Sequence, residues 1–129
     1  MEVLLVDDQA LTIQVFAASV RKTFGGAKVH TAVDLPEALQ IASGHPVDLV
    51  LLDLELPTCS GIDALHRFRH AFPAVPVLVV SASEDKAQIQ ACLDAGARGY
   101  ITKTSALMAL PAAMKAVLSG SRYAPEHPA

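Results

Sequence analysis

VDLVLLDLELPTCSG, Val47 to Gly61, is the stretch whose reading decides the architecture. Val47, Leu49, Val50, Leu51 and Leu52 make a near-continuous apolar run. Such a run suits a central parallel strand covered on both faces. Asp53 follows it, at the carboxyl end where the backbone leaves the sheet. Pro57 and Gly61 bracket a loop, because proline fixes φ and glycine permits unusual turns. A carboxylate at the mouth of a buried strand is costly to desolvate unless a partner compensates it. The reading therefore turns on what else the chain brings to that mouth.

Working outward, the same pattern repeats. EVLLV, Glu2 to Val6, is a short apolar strand ending on Asp7-Asp8. Ile13, Phe16, Val20 and Phe24 lie on one face of an amphipathic helix, which Gly25-Gly26 stops. Lys28 to Thr31 reads as a second strand. Asp34-Leu35-Pro36-Glu37 reads as a capping box with an early proline, so a helix runs from about Leu35 to near Gly44. Val47 to Leu52 is the third strand. Ser60 or Gly61 opens a third helix, with Leu65, Phe68 and Phe72 inward and Pro73 closing it. Val75 to Val80 is the fourth strand, with Pro76 at its start. A weakly amphipathic helix carrying Ile89, Cys92 and Leu93 ends at Gly96. Gly99 to Ile101 is the fifth strand, with Lys103 just beyond. The last helix carries Leu107, Leu110, Met114, Val117 and Leu118 on one face. Pro111 must sit in its first turn or kink it. Five strands alternating with five helices predict an α/β doubly wound domain with a parallel sheet and right-handed crossovers.

Composition narrows the function classes. The 129 residues are 52% apolar, enough for one domain with a real core. No apolar run approaches the ~20 residues of a membrane span. No basic n-region, apolar h-region or cleavage site opens the sequence, so a cytoplasmic location is expected. Cys59 and Cys92 form no CxxC pair and no zinc pattern, and are read as ordinary small residues rather than a disulfide. The net charge of −3 and the lack of a basic stripe argue against direct nucleic-acid binding. Neither GxxxxGK[ST] nor GxGxxG is present, which disfavours nucleotide binding.

Doubly wound geometry gathers the strand ends at one edge of the sheet. There the chain supplies Asp7 and Asp8, Asp53, Ser81 and Lys103. Three neighbouring carboxylates repel one another, and one of them tends to hold a proton. A divalent cation removes the conflict, and hard oxygen ligands without His or Cys point to Mg²⁺. Three aspartates, one lysine and Mg²⁺ sum to zero formal charge. Such a pocket can accept a transferring phosphoryl group, with Asp53 as nucleophile.

Asp7-Asp8, LLD ending on Asp53, Pro57 and Gly61, Ser81-Ala82, and GYITK ending on Lys103 together resemble the receiver domain of bacterial two-component response regulators. The resemblance spans essentially the whole chain, with residues 1–120 as the receiver and 121–129 as the start of a linker or tail. It implies a flavodoxin-like sheet of order 2-1-3-4-5 and Asp53 as phosphoacceptor. It implies Mg²⁺ held by Asp8, Asp53 and the backbone carbonyl of Glu55, with Asp7 acting partly through water. Lys103 would bind the phosphoryl group. Ser81 and Tyr100 would form a switch pair, Ser81 moving towards the phosphoryl oxygen as Tyr100 rotates inward. The readout face would be helix four, strand five and helix five. The partner would be a sensor histidine kinase, with a homodimer possible on phosphorylation and no membrane contact. GARGYITKTSA followed by VLSGSRYAP is similar to receivers preceding a LuxR-type helix-turn-helix, the NarL/FixJ group. DNA would then be reached only through a C-terminal output domain beyond Ala129. Leu56 before the loop proline and Thr104 after the lysine depart from the commonest family pattern without touching the chemistry.

Blander readings stand beside these. Asp7-Asp8 alone reads as a helix N-cap. Ser83 is expected to cap helix four, leaving Ser81 to switch. Tyr100 alone is a core aromatic. His66 and His70, four residues apart on helix three, read as a solvated face. His30, His45 and His127 show no constellation. Glu55 is either a plain loop carboxylate or a residue that tunes hydrolysis of the acyl phosphate. Two other functions keep some of the features: a haloacid dehalogenase-type phosphatase, which needs D-x-D where this chain has Glu55, and a receiver acting only as an interaction module.

Overall fold

In the computed structural model, which describes residues 1–57, 59 and 61–125, the apolar runs are strands. They are β1 (Glu2–Val6), β2 (Lys28–Ala32), β3 (Leu49–Asp53), β4 (Val77–Ser81) and β5 (Gly99–Thr102). The helices α1 (Ala10–Thr23), α2 (Leu35–Gly44), α3 (Ile62–Ala71), α4 (Lys86–Asp94) and α5 (Ala106–Leu118) alternate with them. The five strands form one parallel sheet in the order β2-β1-β3-β4-β5. This is the doubly wound parallel sheet that the alternation predicts, in the flavodoxin-like order that the family resemblance implies.

The sheet separates two cores. Leu4 and Val6 of β1 face one side with Leu65 and Phe68 of α3 and Ile89 and Cys92 of α4. Val3 and Leu5 face the other, against Phe16 and Val20 of α1 and Leu110, Met114 and Val117 of α5. That alternation is the period of two of a strand buried on both faces. β2 lies on one side of β1 and β3 on the other, so the chain reverses direction across the sheet between β1 and β3. The crevice at their carboxyl ends is the switch point where such sheets place their sites.

Several boundaries differ from the sequence reading. β3 starts at Leu49, not Val47, because the Val47 N–H turns back to the His45 carbonyl. It runs on through Asp53, which is thus its last residue. β4 starts after Pro76, which has no N–H to give but whose carbonyl still accepts from Val50 N–H. Asp34 caps α2 by accepting from Glu37 N–H, as the sequence predicts. α4 is capped by Asp85, whose carboxylate accepts from Ala87 N–H, and not by Ser83. Ser83 instead accepts from Asp85 N–H one step earlier. Gly61 caps α3 with φ 61° and ψ −145°, a conformation that essentially requires glycine. Ser60, the other candidate for that position, lies outside the described residues.

α5 contradicts one detail. Leu107 is 65% exposed, and the inward position of the first turn belongs to Ala106. Pro111 lies inside α5, beyond its first turn. It leaves the Leu107 carbonyl without its intrahelical donor, and the exposure of Leu107 leaves that carbonyl's turn beside water. Beyond α5, Tyr123 pairs with the β5 edge: Tyr100 N–H donates to its carbonyl, and its own N–H donates to the Arg98 carbonyl. Both cysteines are free thiols. Burial pushes the Cys92 thiol up to about 11, so it is inert at neutral pH.

Candidate functional site

The carboxyl ends of β1, β3, β4 and β5 converge on one acidic crevice. Asp7 continues the β1 ladder, donating its N–H to the Ala32 carbonyl. Lys103 continues the β5 ladder, donating its N–H to the Ser81 carbonyl. Asp7, Asp8 and Asp53 each offer a carboxylate oxygen within 4.8 Å of the others, with Asp7 and Asp53 buried and Asp8 exposed. Lys103 Nζ stands 3.2 Å from Asp53 Oδ2 and 3.6 Å from Asp7 Oδ2. The opposite oxygens are held by the local backbone. Asp7 Oδ1 accepts from Gln9 N–H at 2.8 Å, and Asp53 Oδ1 accepts from Glu55 N–H at 2.9 Å. Each buried aspartate thus spends one oxygen on the turn that follows it and turns the other towards the lysine.

The electrostatics follow from burial. Asp53 is only 2% exposed. Desolvation raises its carboxyl to about 6, helped by Asp7 and opposed by the Glu55 N–H and Lys103. Burial alone would lower the Lys103 ammonium, but Asp53 and Asp7 outweigh that and hold it above its ordinary range. Three aspartates and one lysine leave the crevice at a formal −2. A divalent cation fits this set: the ligands are hard oxygens, they lie within reach of one metal, and their mutual repulsion is what a cation relieves.

A stability prediction follows from the Asp53 shift. The folded carboxyl holds its proton more tightly than the unfolded one, whose ordinary value is 3.8. The ionised form is therefore the destabilising one. Its cost is absent below the unfolded value, grows between the two values, and is complete above about 6. Two pKa units correspond to about 3 kcal/mol. Without divalent cations, Asp53→Asn should raise Tm at pH 8 by several degrees and leave it unchanged near pH 4. Calorimetry at the two pH values checks this, and an equal Tm difference at both would remove desolvation as the cause.

The residues around Ser81 form a second layer. Ser81 is fully buried. Its hydroxyl donates to Glu55 Oε1 at 3.2 Å, and the same oxygen accepts from Ala82 N–H at 2.7 Å. The Glu55 carboxylate therefore closes over the start of the β4–α4 loop. Tyr100 is also fully buried. Its hydroxyl donates to the Ser83 carbonyl at 2.8 Å, which places the ring in the inward position. Gln88 links the two: its Nε2 donates to Ser81 Oγ at 3.1 Å and to Tyr100 Oη at 2.9 Å.

Sequence reasoning missed Gln88. The signal available was a polar residue one turn before buried Cys92, on the α4 face turned towards the sheet. Gln88→Ala removes a donor shared by two buried oxygens and should cost about 1–2 kcal/mol. With fluorotyrosine incorporated, the Tyr100 resonance should broaden or shift while that of Tyr123 stays. A Tyr100 line identical to wild type would mean that Gln88 does not hold the ring.

His66 and His70 are exposed on α3 and belong to no three-ligand cluster among the described residues. His127 lies outside the described residues. His30 and His45 do have a constellation, with Glu2, at the opposite end of β1.

The comparisons with known proteins agree with this fold. The family model of the response regulator receiver domain matches residues 3–115, and the chain belongs to that family. Its members are signalling domains rather than substrate-turnover enzymes. The chain is 34% identical over 125 residues to the glycerol metabolism activator of Pseudomonas putida, covering 96% of this chain and 57% of that protein. It is 38% identical over 124 residues to the transcriptional regulatory protein KdpE of Mycobacterium tuberculosis, covering 96% of this chain and 54% of that one. The chain thus spans little more than half the length of these curated relatives. A solved LuxR family DNA-binding response regulator from Silicibacter pomeroyi superposes with a TM-score of 0.86 at 31% identity, over 98% of both chains. LuxR-family and other names occur together, so membership of the NarL/FixJ group does not follow from them.

Proposed function

We propose that this chain accepts a phosphoryl group from a sensor histidine kinase onto Asp53. The observation that carries the reading is the Lys103 ammonium standing between the Asp53 and Asp7 carboxylates at the sheet's switch point. A buried carboxylate facing a fixed cation is an oriented nucleophile whose product charge is already opposed. An Asp53 oxygen attacks phosphorus and forms a P–O bond, while the bond to the donor's nitrogen or acyl oxygen breaks and the leaving group departs with the electron pair. Asp8, Asp53 and the Glu55 backbone carbonyl, with Asp7 partly through water, would hold Mg²⁺, which supplies neutralising charge to the oxygens of the transferring group. Lys103 would neutralise the same oxygens.

The acyl phosphate adds charge and acceptor oxygens beside Ser81. The Ser81 hydroxyl and Ala82 N–H, now turned to Glu55, are the donors able to follow them. Ser81, Tyr100 and Gln88 then couple the pocket to α4 and β5, and the α4–β5–α5 face carries the readout. The output we assign is transcriptional, through a LuxR-type domain after residue 129, with dimerisation on phosphorylation and a cytoplasmic location. Support for the output comes from the LuxR family neighbour and from the longer relatives. No described helix is long and apolar enough to cross a membrane. Residues 121–129 would connect the two, with Tyr123 anchored on β5.

Intact mass after incubation with Mg²⁺ and acetyl phosphate tests the central step. A gain of one phosphoryl group, lost on chelation, supports it. An unchanged mass in folded protein would leave the chain an interaction module that signals without phosphorylation.

A further inference from the structure

The amino end of the sheet holds a second cluster with a different chemistry. Glu2 opens β1, His30 lies in β2 opposite Leu4, and His45 caps the end of α2. Glu2 Oε1 stands 2.8 Å from His30 Nε2 and 3.9 Å from His45 Nδ1. The two imidazoles are stacked at an angle, with centroids 4.3 Å apart and planes 37° apart. All three side chains bring a ligand atom within 4.8 Å of the others. The Glu2 backbone is fixed as well, since its N–H donates to Asp48 Oδ2 at 2.8 Å. Glu2 and His30 are largely shielded, whereas the His45 side chain is 48% exposed.

We propose that Glu2, His30 and His45 form a transition-metal site for an ion of the Zn²⁺ class. Two imidazoles and one carboxylate are a recurring three-ligand set for zinc, leaving a fourth position for water or another ligand. Ligand atoms around tetrahedral zinc lie roughly 3.3 Å apart for bonds of about 2.0 Å. The two separations from the Glu2 oxygen fall on either side of that value. Imidazole selects zinc, nickel or copper over Mg²⁺. The site is therefore chemically distinct from the all-oxygen pocket around Asp53. It is also distant from it, because the five residues of β1 span roughly 17 Å between the two. Glu2, His30 and His45 come from β1, β2 and the end of α2, so a bound ion would tie together three elements at the edge of the sheet. The plainer account is a histidine–glutamate hydrogen bond with a stacked neighbour. It predicts no metal affinity.

Calorimetric titration of the tag-free full chain with Zn²⁺, with Mg²⁺ in excess to occupy the acidic pocket, separates the two. The proposal expects one Zn²⁺ per chain with micromolar or tighter affinity and a Tm that rises with Zn²⁺. His45→Gln, at the more exposed position, should weaken binding at least about tenfold, as should His30→Gln. Asp8→Asn and Cys59→Ser should leave it unchanged. Circular dichroism of each variant confirms the fold. Absence of Zn²⁺ binding, or binding that survives both histidine substitutions, would overturn the assignment. Loss only in Asp8→Asn would also overturn it, by locating the ion in the crevice.

Discussion

Asp53→Asn takes up no phosphoryl group from acetyl phosphate and Mg²⁺, while the wild-type chain gains one: that is the expected result at the site, and its size is all or none. The amide keeps the shape of the side chain and an oxygen for the Glu55 N–H. It loses the anionic oxygen that attacks phosphorus. The neighbouring aspartates do not substitute. Asp7 has one oxygen on Gln9 N–H and the other on the lysine side, and Asp8 is exposed. The product should be an acyl phosphate, cleaved by hydroxylamine, and tryptic mapping should place it on Asp53. When Mg²⁺ is limiting, uptake should fall as pH drops below about 6, where the metal-free Asp53 carboxyl becomes protonated, and saturating Mg²⁺ should move that fall to lower pH. Equal phosphorylation of the Asn variant would refute the acceptor assignment outright.

The sequence announced the sheet because its signals are local. Apolar runs such as Leu49 to Leu52 and LVV in β4 stand between helix periodicities, and only a parallel sheet covered on both faces accommodates that alternation. The acidic crevice was legible for a related reason: Asp7, Asp53 and Lys103 each sit just at or past a strand end, and the topology alone gathers strand ends. What stayed hidden depends on distance or on shape. Glu2, His30 and His45 meet only because β1 and β2 pair in a register that places Glu2 beside Lys28, and no spacing in the sequence shows that register. Gln88 is one polar residue on a weak helix, and its role appears only when Ser81 and Tyr100 are both seen within hydrogen-bond reach. Leu107 misled through its side chain. Hydrophobic size favoured it over Ala106, but the helix phase set by Leu110, Ala113 and Val117 turns Ala106 inward. Ser83 misled through chemistry, since Asp85 offers a charged acceptor two residues nearer the helix.

Lys103→Met should slow phosphoryl uptake by about 10²–10³-fold, the usual loss when one preorganised charge donor is taken from a developing transition state. Methionine keeps an apolar stem of similar length and removes the ammonium, so the effect is electrostatic. Two further changes follow from the same charge count. The crevice goes from a formal −2 to −3, so Mg²⁺ should bind more tightly, not less. Asp53 loses the cation 3.2 Å away that opposes its desolvation, so its carboxyl moves above about 6 in the metal-free protein. The pH below which uptake fades should therefore rise when Mg²⁺ is limiting and return towards wild type when Mg²⁺ is saturating. Lys103→Arg should recover part of the rate, because the charge is restored on a longer planar group that does not fit the same point between two carboxylates. Initial rates by intact mass, measured across pH at low and high Mg²⁺, resolve all three. A Met variant with the wild-type rate and Mg²⁺ dependence would show that Lys103 is a structural counter-ion, and the chemistry would then rest on the aspartates and the metal alone.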